Sequence, residues 1–412
     1  MKISHKPAGG AGIFRSAARN SAGKGAAFYD FHRRAIAGAR LTVAFMGGSL
    51  TWGAGASDPQ RTSYRALISR RLEQAYPKAH FTFVDAAIGG SGAQLGAFRL
   101  QRDVLAYQPD LFFLDFTLND NTYQTSPDTL AAYESIMHRV ITAGCPVVQM
   151  ILASRFDIEQ GLLEKMVRRT AHLALARVYH TVVGDAITLM RRHCRGQKAK
   201  LDVLWPPERF DNTHPANAGY ALYAQAAWQA LQKAIAAKMV CRVPARMCHG
   251  DRYQSIRRVP VATLAPLPPG WHLAQPYTAS VAFDFMMSRW LDSLTVAANF
   301  VAEDRGKTRP APPAQPLRVG FHGSTVLVFG ESTPRSGKYR IVLDGRPGPE
   351  FDAGKMGRGG GNAHLWEVLA EGLPVGEHSL EIQPIYEPSG IPAEVRLESI
   401  CVAGGQAKVW RL

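Results

Sequence analysis

Ser49 follows a short apolar run, 43–46, and two glycines, Gly47 and Gly48. The apolar run predicts a buried β-strand, and the two glycines predict a tight turn where the strand ends. Because α/β proteins bind their ligands at the carboxyl ends of parallel strands, the hydroxyl of Ser49 is a candidate nucleophile. The same motif is equally typical of a plain turn between a strand and a helix, so its interpretation depends on the rest of the chain.

A serine hydroxyl is a weak nucleophile and needs a base, a group that orients the base, and donors for the oxyanion. His214 is the candidate base, and Asp211, three residues earlier, is the candidate partner for its second ring nitrogen. Candidate oxyanion donors are the backbone N–H groups of Ser49 and Gly90 and the side-chain amide of Asn119. Together these residues predict acyl transfer through a serine ester.

Each of these residues also has a simpler interpretation. Asp211 and His214 could cap a helix, and Asn119 could bond to its own backbone in a turn. Ser91 is a rival nucleophile, but the residue two positions after it is Ala93, where a nucleophile elbow has glycine. A dinucleotide site is not predicted, because Asp58 stands where the third glycine of the fingerprint belongs.

The first 250 residues alternate between short apolar runs and segments with helical periodicity, which predicts βαβ units and a mostly parallel sheet. Strands are predicted at 41–46, 81–86, 111–116, 146–152 and 180–183. Helices are predicted at 28–37, 63–76, 96–107, 126–142, 160–177 and 217–239, and a loop at 193–210. The loops 47–55, 88–92 and 117–121 would then meet at one edge of the sheet.

The character of the sequence changes after about residue 250. Prolines cluster at 260–276 and 310–316, and short alternating runs follow at 325–329, 339–343, 378–382 and 394–399. This pattern predicts an all-β sandwich or jelly roll. We therefore expect a catalytic domain over 1–250, with its core at about 40–240, and a β-sandwich domain over 251–412.

The composition limits the kinds of partner. The 412 residues carry a net charge of +15, which favours acidic partners, but the basic residues are scattered and carry no nucleic-acid signature. Five cysteines do not make a disulfide framework, and the spacing of Cys241 and Cys248-His249 matches no common zinc site. No apolar run is long enough for a membrane span, and residues 1–39 lack the apolar core of a signal peptide, so a cytoplasmic protein is expected.

Four segments resemble the sequence blocks of the SGNH, or GDSL-type, hydrolases: Gly47-Gly48-Ser49-Leu50, Ile88-Gly89-Gly90, Leu118-Asn119-Asp120 and Asp211-x-x-His214-Pro215. They occur in order over about 40–220. The resemblance implies a flavodoxin-like α/β/α sandwich with no metal or cofactor. It also implies that Ser49 is the nucleophile, that Ser49, Gly90 and Asn119 form the oxyanion hole, and that Asp211 and His214 relay the proton.

The sequence departs from the family pattern at two positions. Gly48 stands where the family has Asp in its first block, and Thr117 stands where it has Gly before Asn-Asp. Neither change removes a reacting group, although Thr117 could reshape the acyl pocket beside Asn119. Asp120 is interpreted as a network residue rather than a catalyst.

The expected substrate is an acylated carbohydrate, with an acidic polysaccharide as one candidate. Trp52, Tyr123 and Trp205 fall in loops at the predicted active edge and could stack on a sugar, although such residues more often pack in the core. The predicted reaction is removal of a short acyl group, acetyl foremost. An O-acetyltransferase, a lipase-like esterase or a thioesterase is the alternative with the same machinery, and a non-catalytic sugar-binding protein is the alternative of another class.

Overall fold

The computed structural model describes residues 26–276, 293–302, 307–355, 364–387 and 391–412. Most of the N-terminal segment considered above for a signal peptide lies outside these ranges. The elements up to residue 250 are, in order, β1 (Ala26–Ala27), α1 (Phe28–Ile36), β2 (Arg40–Gly47), α2 (Ser49–Trp52), α3 (Pro59–Thr62), α4 (Tyr64–Ala75), β3 (His80–Ala87), α5 (Ala93–Asp103), β4 (Leu111–Leu114), α6 (Pro127–Thr142), β5 (Val147–Ile151), α7 (Arg155–Glu159), α8 (Val167–Val178), β6 (Val182–Asp185), α9 (Ala186–Cys194), α10 (Lys198–Leu204), α11 (Asn217–Ala236) and β7 (Val240–Cys241).

A parallel sheet of five strands forms the centre of this part of the described chain, in the order β3-β2-β4-β5-β6. Every residue of β4 and β5 is buried, as expected for parallel strands covered by helices on both faces. Helices α1, α4, α9 and α11 pack on one face, and α5, α6 and α8 pack on the other. The predicted three-layer α/β/α sandwich is therefore confirmed.

Two predictions of local structure are wrong. The single helix expected over 160–177 is instead a 3₁₀ turn at Leu163–Lys165 followed by α8, and the unpredicted α7 ends just before this range. Gly161 lies in the segment between α7 and α8, and a Cβ atom there would collide with the hydroxyl of Tyr123. The loop expected over 193–210 contains α10 and a 3₁₀ turn at Pro207–Arg209, and α9 was not predicted.

The elements after residue 250 are strands joined by turns, as predicted. They are β8 (Ile256–Pro260), β9 (Trp271–Leu273), β10 (Thr295–Ala298), β11 (Phe300–Ala302), β12 (Thr308–Pro310), β13 (Leu317–Gly323), β14 (Thr325–Glu331), β15 (Lys338–Leu343), β16 (Arg346–Asp352), β17 (His364–Ala370), β18 (Gly376–Ile385), β19 (Glu394–Ala403) and β20 (Lys408–Arg411).

Most of these strands form two antiparallel sheets that pack face to face, while β11 and β12 pair with each other in a separate two-stranded sheet. In the described ranges, one sheet has the order β17-β14-β19-β10-β9, with β8 also paired to β19, and the other has the order β16-β15-β18-β13-β20. Apolar side chains from both sheets, such as Val328, Ile341 and Leu380, form a core between them. The C-terminal part is therefore an all-β sandwich.

The first β-sheet of this sandwich also packs against the α/β domain. Strand β14 is buried at every residue: Val326 and Val328 point into the sandwich, whereas Leu327 joins the core of the α/β domain. Phe329 packs with Ile88 and Leu95 beside the loop after β3. The β-sandwich therefore lies against the edge of the parallel sheet where the chemical residues were predicted.

The segment between β7 and β8 joins the two parts and is held on α6. Glu134 of α6 accepts the backbone N–H groups of Cys248 and His249, each at 2.7 Å, and Ser135 donates its hydroxyl to the carbonyl of Tyr253 at 2.8 Å. We propose the domain boundary within this segment, near residue 250. None of the helices in the described ranges is both long and apolar enough for a membrane span.

Candidate active site

Ser49 lies at the carboxyl end of β2, as the sequence predicts. β2 ends at Gly47, Gly48 continues in an extended conformation, and Ser49 is the first residue of α2. The first N–H groups of a helix have no acceptor within that helix. The N–H of Ser49 is therefore suited to bind an anion that forms next to its own hydroxyl.

The side chains of Ser49, His214 and Asp211 form a continuous line of hydrogen bonds. His214 Nε2 lies 2.7 Å from Ser49 Oγ, and His214 Nδ1 lies 2.9 Å from Asp211 Oδ2. The second oxygen of Asp211 accepts the backbone N–H groups of Thr213 at 2.9 Å and of His214 at 3.0 Å. This geometry allows the imidazole to accept the serine proton while the carboxylate fixes the opposite nitrogen.

The surroundings of Asp211 favour its charged form. Burial acts to raise the pKa of this carboxyl, but the hydrogen bonds from the backbone and side chain of His214 and from Thr213 outweigh it, so the pKa is lowered. Both side chains keep some access to solvent, with 24% of His214 and 34% of Asp211 exposed. The carboxylate can therefore stabilise an imidazolium at neutral pH.

Hydrogen bonds from Arg155 and the packing of Trp205 support the loop that carries Asp211 and His214. Arg155 at the start of α7 donates to the carbonyl of Trp205 at 2.8 Å and to Asp202 at 2.6 Å. Its backbone N–H donates to the carbonyl of Asn212 at 2.8 Å. Trp205 is only 1% exposed, and its indole N–H points to the carbonyl of Thr213 at 3.4 Å. The ring of Trp205 therefore packs in the core under the loop, which argues against the predicted contact with a sugar.

Gly90 lies in the turn after β3, with a φ of +73° that favours glycine. It lines a cavity of about 350 Å³. The other lining residues all come from the β-sandwich: Ser332, Asp352, Ala353, Lys355, His364, Leu365, Trp366, Glu367 and Val368. The turn that carries Gly90 therefore faces a cavity with polar and apolar walls, to which both domains contribute.

Asn119 follows β4 and reaches the turn before Ser49. Its side-chain amide lies over Gly48, in the space that a side chain at residue 48 would need. The structure thus brings the amide predicted as an oxyanion donor next to the residue predicted as the nucleophile.

Buried polar residues hold the loop that carries Asn119. Asp115 accepts the N–H of Thr117 at 3.3 Å, and Asp120 accepts the N–H of Ala93 at 3.0 Å, which ties this loop to the start of α5. Burial raises the pKa of both Asp115 and Asp120 to about 7. For Asp120 this occurs despite the opposing effect of Arg168, whose guanidinium lies 3.9 Å away.

Thr117, which replaces the family's glycine, has a specific partner. Its hydroxyl lies 3.0 Å from Nδ1 of His172, a buried imidazole that stacks on the ring of Tyr133. Burial, and after it the charge of Arg168, lowers the pKa of His172 well below its usual value. His172 is therefore a neutral hydrogen-bonding partner for Thr117.

The remaining predicted residues differ in their burial and in their hydrogen bonds. Trp52 is half-buried beside Ser49, and Tyr123 is half-buried and donates its hydroxyl to Asp157 at 2.8 Å. The rival Ser91 is buried and donates its hydroxyl to the carbonyl of Ile88 at 2.7 Å, so that hydroxyl is already engaged. No group of three or more His, Cys, Asp or Glu side chains suited to a metal ion is found in the ranges that the structure describes.

Sequence reasoning missed several residues around the site. Arg155 and Phe156 follow β5, and the capping box of Ser154 and Asp157 would have placed them at the start of a helix on the active edge. Phe210 directly precedes Asp211 and is 94% exposed. Trp366 and the other cavity residues of the β-sandwich carry no local signal, because they come close to Gly90 only through the packing of the two domains.

Comparisons with known proteins agree with this architecture. Residues 45–222 match the model of the GDSL-like lipase/acylhydrolase family, whereas no curated protein matches the chain. Among solved structures, the chain is similar to a two-domain esterase (CEX) active on acetylated mannans, co-crystallised with mannopentaose, with a TM-score of 0.70 and 19% identity over 92% of this chain and 95% of that one. A second structure of a two-domain esterase (CEX) active on acetylated mannans gives a TM-score of 0.64 and 18% identity over the same shares.

The α/β/α sandwich and the family match define the class of this protein: it is a carboxylic ester hydrolase. The matched segment, residues 45–222, is a GDSL-like lipase/acylhydrolase domain. The similarity to the two-domain esterases spans the β-sandwich as well, so the whole described chain shares its fold with them.

Proposed function

We propose that the protein is a serine esterase that removes short O-acyl groups, acetyl foremost, from a carbohydrate. The observation that carries the proposal is the line of hydrogen bonds from Ser49 through His214 to Asp211, at 2.7 and 2.9 Å. This line lies at the carboxyl edge of a parallel sheet, within the segment that matches the hydrolase family.

In the acylation step, Ser49 Oγ attacks the ester carbonyl while His214 Nε2 takes its proton. Asp211 keeps the proton of His214 on Nδ1 and stabilises the imidazolium that forms. The carbonyl oxygen becomes an oxyanion that the N–H groups of Ser49 and Gly90 and the amide of Asn119 stabilise. The tetrahedral intermediate then collapses, the sugar hydroxyl leaves with the proton from His214, and the acyl group remains on Ser49.

In the deacylation step, water takes the place of the sugar hydroxyl. His214 removes a proton from the water, which attacks the acyl carbonyl, and the same donors stabilise the second oxyanion. The carboxylic acid leaves and Ser49 recovers its proton from His214. No atom outside the ester, the water and these residues is required.

A carbohydrate substrate is supported by two observations. The cavity beside Gly90 is lined by hydroxyl, carboxylate, ammonium and indole groups, which can bond to sugar hydroxyls or pack on sugar rings. The solved structures with the same two-domain fold are of esterases active on acetylated mannans.

The cavity also supports a neutral glycan over an acidic one, although the whole chain has a net charge of +15. Among its described lining residues, Asp352 and Glu367 carry carboxylates and Lys355 is the single ammonium group. A polyanion would face more negative than positive charge there, and like charges at short range repel. We therefore expect the local charge, not the total charge, to decide the substrate.

The test is acetate release from a panel of acetylated neutral and acidic glycans, with Ser49→Ala as control. We expect release to water from neutral glycans and a loss of several orders of magnitude in Ser49→Ala. Retained activity in Ser49→Ala would refute the nucleophile. Release only when a second sugar is supplied would indicate a transferase, and glycan binding without release from any ester would indicate a non-catalytic binding protein.

A further inference from the structure

Three aromatic side chains lie on the side of the candidate active site opposite the cavity. Tyr123 follows β4, Phe156 follows β5, and Phe210 precedes Asp211. We propose that Phe156, supported by Tyr123 and flanked by Phe210, is a subsite that binds a sugar ring of the substrate several units away from the ester. This inference rests on the proposed function and extends it to an oligomeric substrate.

The pair of Tyr123 and Phe156 is rigidly built. Their rings meet edge to face, with centroids 5.5 Å apart and an angle of 78° between the planes. The hydroxyl of Tyr123 donates to Asp157 at 2.8 Å, and the other oxygen of Asp157 accepts the N–H and hydroxyl of Ser154 at 2.6 and 2.7 Å. Gly161 lacks the Cβ atom that would displace the Tyr123 hydroxyl.

Despite this support, Phe156 is 48% exposed. A scattered apolar side chain on a surface needs no explanation, but here the neighbouring loop carries a second exposed aromatic residue. Phe210 is 94% exposed and has a φ of +51°, a conformation that is unfavourable for a residue with a bulky side chain. The hydrogen bond from the N–H of Arg155 to the carbonyl of Asn212 brings the two chain segments together.

The position of these rings matches an extended substrate. The cavity beside Gly90 lies at the end of β3, Ser49 at the end of β2, and Tyr123 and Phe156 at the ends of β4 and β5. Three strand spacings separate β3 from β5, which is about 14 Å. A glycan that reaches from the cavity across Ser49 would therefore meet the aromatic pair with another of its sugar units.

A sugar is the occupant that this surface suits best. The faces of sugar rings carry apolar C–H groups, which pack on the flat face of an aromatic ring, while their hydroxyls stay in water. Phe156 exposes about half of its aromatic surface and carries no polar group of its own. The continuity with Ser49 and Asp211 favours the glycan of the ester substrate over an unrelated partner.

The experiment compares an acetylated oligosaccharide with 4-nitrophenyl acetate, which is too small to reach both sites. The quantity measured is kcat/KM for the acetylated oligosaccharide divided by kcat/KM for 4-nitrophenyl acetate. For Phe156→Ala and Phe210→Ala we expect this ratio to fall by about three- to tenfold, the effect of one lost aromatic contact. Phe156→Trp keeps an aromatic face, so it should keep the ratio near that of the wild type.

Ile36→Ala is the matched control, because Ile36 is 57% exposed but lies on α1, away from the active edge. An unchanged ratio in both alanine variants would overturn the subsite. So would a shift in the oligomeric state of these variants, measured by light scattering, with no change in the ratio. Ser49→Ala separates the two proposals, because its retained hydrolysis of both esters would refute the esterase mechanism itself.

Discussion

The side-chain amide of Asn119 fills the space in which a side chain at residue 48 would begin. A Cβ atom placed on Gly48 would lie 2.6 Å from Cγ and 2.9 Å from Nδ2 of Asn119, and closer still to Oδ1. Real Cβ atoms do not approach other atoms so closely. The glycine that departs from the family pattern therefore gives Asn119 its place beside Ser49.

We predict that Gly48→Ala lowers kcat by roughly 10²-fold, because the methyl group displaces the amide that would stabilise the oxyanion. KM should change little, since the amide acts on a charge that forms only during the reaction. Steady-state kinetics on 4-nitrophenyl acetate measure both constants. Gly376→Ala is the control, because a Cβ atom at Gly376 meets nothing within 4 Å.

Asn119→Ala should lower kcat by roughly 10²- to 10³-fold, the usual effect of removing one oxyanion donor. If Gly48→Ala acts only by displacing this amide, the double variant should be no slower than Asn119→Ala alone. Additive losses in the double variant would contradict the displacement and indicate a separate effect on Ser49.

The Asp211→Asn variant tests the relay. An asparagine cannot stabilise the imidazolium and can favour the wrong tautomer of His214, so kcat should fall by roughly 10³- to 10⁴-fold. The chain contains a matched control, because Asp344 in the β-sandwich lies 2.8 Å from Nδ1 of His378. Asp344→Asn should leave kcat unchanged, whereas equal losses in the two variants would refute a specific role for Asp211.

Much of the site could be predicted from the sequence because its parts lie in local motifs. Each of Ser49, Gly90, Asn119 and His214 follows or precedes a regular element, and the parallel order of the strands brings their ends to one edge. The apolar runs gave the strands for the same reason, since strands buried on both faces are almost wholly apolar.

The remaining features depend on contacts between distant segments. The helix expected over 160–177 begins only at Val167. Gly161 instead lies against the hydroxyl of Tyr123, a contact between distant segments that no local pattern contains. The sequence places Trp205 in a polar loop, but a hydrogen bond from Arg155 to the Trp205 carbonyl holds that loop against the core. The cavity at Gly90 requires residues near Trp366, which only the packing of the two domains brings there.

Trp205 is predicted to act through stability rather than through sugar binding. Because the ring is buried, Trp205→Ala should leave a cavity and lower the free energy of unfolding by about 3–5 kcal/mol, with a smaller loss for Trp205→Phe. Thermal unfolding monitored by circular dichroism gives this difference. Phe210→Ala is the control, because it removes an exposed ring near the same loop and should leave the unfolding temperature nearly unchanged. An unchanged unfolding temperature in Trp205→Ala would contradict its packing role.

Asp115 should make stability depend on pH. Burial raises its pKa in the folded protein to about 7 from 3.8, so between about pH 4 and 7 the folded state holds a proton that the unfolded state has lost. Stability from this group is therefore full below pH 4 and is lost as the pH rises towards 7. Asp115→Asn removes the titrating group, so its unfolding free energy relative to the wild type should rise across this range, by a few kcal/mol at most. Urea unfolding at pH 4, 5.5 and 7 measures the difference in unfolding free energy between the variant and the wild type. Asp30→Asn, at an exposed position, is the control. A difference that stays constant from pH 4 to 7 would show that Asp115 is charged throughout.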